Sequence, residues 1–180
     1  MNEPTLTPPI ERIFDLSDLS DAGAEIRIAP PKADLVRLAE WAEVVEVESF
    51  EATIVLKRVG LNHFRYEGHL LAAIVQSCVV TLEPVRSRID RTFSRNLHLV
   101  RHARQPEMGG EVPLGAADDE APEEIESARF DVAGPVLEEF ALAIDPYPRA
   151  PGVAFEAPSA GGQVVVESPF AVLKQLKKDE

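Results

Sequence analysis

Cysteine is scarce in this chain and positive charge is outnumbered by negative, and each of these removes a class of function. The one cysteine, Cys78, has no second cysteine to pair with, so no disulfide can form within the chain, and the composition fits a reducing compartment. One Cys and four His leave few donors for a zinc site with its usual closely spaced ligand pairs. The 18 Lys and Arg face 31 Asp and Glu, and the formal net charge of −13 argues against a protein that coats nucleic acid by bulk attraction. No apolar run approaches the roughly 20 residues of a membrane span. The opening MNEPTLTPPIER shows neither the basic region nor the apolar segment of a signal peptide. A soluble, cytoplasmic protein with no membrane partner is expected. A Gly-rich phosphate loop, a G-x-S-x-G elbow and a dinucleotide fingerprint are also missing.

What is present is enough apolar material, 45% of 180 residues, for one ordinary core. Residues 1–9 hold three prolines and read as a flexible tail. Residues 11–20 suggest a strand and turn, and AEIRIA (24–29) alternates as a strand does. Pro30-Pro31 then opens a helix whose apolar positions are Leu35, Leu38, Ala39 and Ala42. Residues 44–57, 63–80 and 85–99 read as three long extended stretches, with turn signals at Gly60 and Asn62 and at Glu83-Pro84. Residues 103–124 are rich in Gly, Pro and acids without periodicity, which predicts a mobile acidic loop. Residues 125–132 suggest one more strand. Gly134-Pro135 starts a second helix, stopped by DPYPRAPG, and SPFAVLKQLKKDE reads as a third, short helix.

Charge is unevenly placed. Residues 86–104 hold six arginines and one acid, whereas residues 107–145 hold twelve acids and one base. In VRSRIDRTFSR, strand parity sends Arg86 and Arg88 to one face and Arg91 and Arg95 to the other. Two readings stand side by side: an edge strand protected by charge, or a small basic surface for phosphate backbones within an acidic protein. Lys174, Lys177 and Lys178 would extend such a surface if the last helix packs nearby.

The histidines do not assemble a metal site on sequence grounds. His98 and His102 have helical spacing but fall at the end of a strand beside Arg101 and Arg104, and His63 and His69 have no third partner. Cys78 as a nucleophile would need a base and a setting that favours thiolate. It lies in QSCVVTL, and a small buried apolar residue is the simpler reading. No catalytic residues, metal or cofactor are expected.

Three stretches resemble a known family. GHLLAAIVQSCVVTLEPVRSRIDRTF, VAGPVLEEFALAIDPYPRAPG and SPFAVLKQLKK, in this order, are similar to segments of the YceD-like family, bacterial proteins linked to accumulation of large-subunit (23S) ribosomal RNA. Many relatives carry C-x-x-C where this chain has Cys78-Val79-Val80-Thr81, so a metal or redox role for that pair is not implied here. The resemblance implies a non-enzymatic factor in ribosome biogenesis, with ribosomal RNA or a large-subunit assembly intermediate as partner. An adaptor is the alternative, its acidic stretch at 107–126 holding a basic ribosomal or RNA-processing protein. The fold expected over residues 10–180 is a single α+β domain with an antiparallel, partly closed barrel-like sheet and about three short helices.

Overall fold

The computed structural model describes residues 8–100 and 122–153. Its centre is a run of antiparallel strands: β2 (Ala24–Ile28), β3 (Glu46–Arg58), β4 (His63–Ser77) and β5 (Pro84–Leu99). Strict alternation makes these strands. On β3, Phe50, Ala52, Ile54 and Leu56 are buried while the residues between them are not, and on β4 the buried set includes Phe64, Tyr66, Leu70, Ala72 and Ile74. The hairpin register aligns Phe64 with Leu97, Gly68 with Phe93 and Ala72 with Ile89, so one face of the sheet is continuous and apolar. Gly68 has a packing reason: a Cβ there would collide with the ring of Phe93, which lies over it.

The rest of the chain covers that face. The helix α1 (Lys32–Trp41) links β2 to β3 and buries Leu38 and Ala39. Its Pro31 precedes the first turn, and Asp34 sits where the helix dipole favours an acid. The helix α2 (Gly134–Ala143), with Pro at its start, buries Val136, Leu137 and Phe140, and Phe140 meets Phe50 edge to face at 5.3 Å. Between them a two-stranded ribbon joins β1 (Ile13–Asp15) to β7 (Arg129–Asp131), antiparallel, with a short 3₁₀ turn at Leu16–Asp18 after β1. The buried Tyr66 hydroxyl donates to the Val132 carbonyl at 2.9 Å, pinning sheet to cover, and burial pushes its phenol pKa above the usual range.

The expected barrel-like α+β fold is not what forms. The described residues are mostly strand, with two helices, and the sheet is open. Its order is β2-β3-β4-β5-β6, where β6 (Glu123–Ile125) pairs in parallel with Leu97–Leu99, so the sheet is mixed rather than purely antiparallel. Closure would require β2 and β6 to pair, but they are five and three residues long and stand at opposite edges. The apolar face is sealed by α2 and the ribbon instead of by an opposing wall. The single strand expected at 125–132 is two, because the chain turns at Ser127, whose hydroxyl accepts from the Arg129 N–H, and crosses from the sheet edge to the ribbon. Of the segments assigned to loop and tail, Glu123 and Glu124 belong to β6 and Pro9 is buried. Residues 1–7 and 103–121 and the third helix expected at 168–180 lie outside the described residues.

Candidate nucleic-acid interface

Strand parity holds on β5. Arg86 and Arg88 project from the open face of the sheet, and Arg91 and Arg95 from the face that α2 covers. Their environments then diverge. Arg95 is 22% exposed and meets three carboxylates, Glu138 at 2.7 Å, Glu123 at 3.5 Å and Glu139 at 3.7 Å. Desolvation works against its charge, but the hydrogen bond and attraction of Glu138, then those of Glu123, outweigh it and raise its pKa. Arg95 thereby ties β5 to β6 and α2, and its guanidinium is committed to that structural task.

Arg86, Arg88 and Arg91 are exposed. Arg86, 79% exposed, pairs with Glu48 at 3.0 Å, and no carboxylate among the described residues pairs with Arg88 or Arg91. β6 covers the outer side of β5 only at Leu97–Leu99. Among the described residues, the outer backbone row of 84–96 therefore has no strand partner. Arg91 is exposed although its side chain is on the covered face. At about 3.3 Å per residue, Arg86 and Arg91 stand roughly 17 Å apart along that edge. Arg101 and Arg104, and Lys174, Lys177 and Lys178, lie outside the described residues.

The other basic side chains of the open face are already engaged. Lys57 and Arg65 both hold Glu67 at 3.1 Å, and these two hydrogen bonds lower the Glu67 carboxyl pKa. Arg27 pairs with Glu51. His69 meets Asp90 at 2.8 Å, while His63 and His98 stack with ring centroids 4.2 Å apart. Three histidines thus share the open face, which strand parity and hairpin register could have shown in the sequence. No cluster of three or more metal-type ligands forms among the described residues.

Cys78 is not in a strand. It is the first residue after β4, wholly buried, and its Sγ accepts from the Thr81 N–H at 3.5 Å and the Ala150 N–H at 3.4 Å. The Thr81 side chain, with the backbone N–H groups of Ala150, Thr81 and Val80, holds the thiol below its usual pKa, although burial works in the opposite direction. The Val79 N–H also donates to the Pro148 carbonyl. The sulfur therefore anchors a turn, which closes through Leu82 at φ 62, to the segment that follows α2.

Comparison with known proteins adds one finding. The family model described as Large ribosomal RNA subunit accumulation protein YceD matches residues 66–177. The chain belongs to the YceD family. The match spans β4 from Tyr66 onward, β5, the ribbon strand β7, α2 and the Cys78 turn. It leaves β1, β2, α1 and β3 outside. No curated protein and no solved structure matches the chain. The YceD family name places such proteins with the accumulation of large-subunit ribosomal RNA, and no helix of the described residues is long and apolar enough to cross a membrane.

Proposed function

We propose that this YceD-family chain supports accumulation of large-subunit (23S) ribosomal RNA as a non-enzymatic binding factor, touching the RNA backbone through Arg86, Arg88 and Arg91. The observation that carries this reading is three exposed arginines along a stretch of strand edge that no described strand pairs, in a family named for that RNA. Arginine suits phosphate through its planar fork. Backbone N–H groups along a free edge are further phosphate donors. The acidic remainder of the molecule repels nucleic acid at long range, so contact is short-range and depends steeply on salt.

The test is a filter-binding titration against a large-subunit ribosomal RNA fragment at several salt concentrations. Replacing Arg86, Arg88 and Arg91 by Gln should weaken binding and flatten the salt slope by about one unit per lost phosphate contact. Arg95→Gln should not flatten it. If the folded triple variant binds as the wild type does, or neither binds, the RNA reading fails. The chain would then act as an adaptor for a basic ribosomal or RNA-processing protein, held by its acids at 107–126.

A further inference from the structure

A groove separates α1 from the start of β3, far along the chain from the arginine row. It encloses about 580 Å³. Leu35 and Val36 of α1 form one wall, Val44 and Val45 of the connecting turn form the other, and Glu40 and Glu46 stand among the lining residues. Val36 is 59% exposed and Val45 63% exposed, so large aliphatic groups face water here. The walls are fixed by the backbone. Glu43 takes a left-handed conformation at φ 54, the Val44 N–H returns to the Ala39 carbonyl at 3.0 Å, and the Val45 N–H joins the Val75 carbonyl at 2.9 Å.

We infer that this groove docks a basic amphipathic segment of a partner protein, with its aliphatic face on Val36 and Val45 and its cations on Glu40 and Glu46. The charges select that occupant. Glu40 and Glu46 have no ion-pair partner among the described residues, and Glu48, a third lining acid, is balanced by Arg86. Lys32 is the one base in the lining. Carboxylates at an apolar groove repel phosphate chains and anionic lipid alike, and they attract Lys or Arg placed beside leucines at helical spacing. The residues lining the groove lie before residue 66, outside the family match. The inference does not depend on the RNA reading, and the two surfaces meet at one point, the pair of lining residue Glu48 with Arg86.

The experiment uses the full chain and a fluorescein-labelled peptide of about four helical turns, with leucines at i, i+3, i+4 and i+7 and lysines elsewhere, read by fluorescence anisotropy. A scrambled peptide of the same composition controls for simple charge attraction. The ordered peptide should bind at least about tenfold more tightly than the scrambled one. Val36→Ser with Val45→Ser should reduce its affinity about tenfold or more, as should Glu40→Gln with Glu46→Gln. All four positions are on the surface, and circular dichroism checks the fold. Equal binding of the two peptides, no binding, or indifference to the valine changes overturns the inference. Lys174→Gln, Lys177→Gln and Lys178→Gln together should shift the ordered and scrambled peptides alike. A tightening of the ordered peptide alone would assign the groove to the chain's own C-terminal segment and overturn the inference as well.

Discussion

The two faces of the central sheet come from the same long strands and differ in how they treat charge. On the covered face, aliphatic and aromatic side chains from β3, β4 and β5 meet α2 and the ribbon, and Arg95 enters at the edge of this layer only inside a ring of three carboxylates. On the open face, charged and polar side chains sit in exposed pairs: Lys57 and Arg65 with Glu67, Arg27 with Glu51, and the His69 ring with Asp90. Exposed pairs contribute little because water and salt screen them. Counting arginines therefore says little about what a strand can bind. Arg95 is occupied from within the molecule, whereas Arg88 on the same strand is exposed and unpaired among the described residues. Part of the charge asymmetry of the sequence closes on itself, since Glu123, Glu138 and Glu139 come from the acidic stretch and hold an arginine of the basic one.

Substitutions can break this contrast. Phe140→Ala, which empties the contact between α2 and Phe50, should cost about 3–5 kcal/mol in urea unfolding. A loss under about 1 kcal/mol would mean that α2 is not the lid of the core. Arg95→Gln leaves three carboxylates facing one another without their cation, and about 1.5–3 kcal/mol of stability should go with it. Its RNA salt slope should stay at the wild-type value, so a flattened slope in the folded variant would return Arg95 to the binding surface. Cys78→Ala removes the acceptor for the Ala150 and Thr81 N–H groups and should cost about 1 kcal/mol, with faster amide exchange at Ala150. Unchanged exchange there would show that the sulfur anchors nothing. On the open face, His69→Gln should move the unfolding midpoint by no more than about 0.5 kcal/mol. A larger loss would show that the exposed pairs carry more of the fold than screening permits.

The four long or alternating strands and both described helices were legible because period-two and helical patterns repeat over many residues in them. Parity alone separated Arg86 and Arg88 from Arg91 and Arg95. The cage around Arg95 was not legible, since its acids arrive from β6 and α2 and only tertiary packing brings them together. The sequence reads β6 and β7 as one strand, because three residues carry no periodic signal and nothing local marks the crossing between sheets. The apolar neighbours of Cys78 predict a strand there. Its structural role survives in a turn, where the sulfur is an acceptor as well as a filler. Long central strands favour closure, and the short edge strands β2 and β6, which carry no local signal against it, leave the sheet open.

The ribbon has a kinetic consequence. β1 pairs residues 13–15 with residues 129–131, and the Val132 N–H reaches the Arg12 carbonyl. The hairpins of β2 to β5 are formed by neighbours in the chain and can zip early, but one half of the core waits for a segment made more than a hundred residues after β1. During synthesis the part of the apolar side that α2 and the ribbon cover is therefore bare until α2 emerges, and in that interval it is open to chaperones and to misassociation. Nascent chains stalled with residue 125 clear of the ribosome should be cut readily by protease, and those stalled with residue 153 clear should resist. Equal resistance at both lengths would mean that the meander folds without its cover.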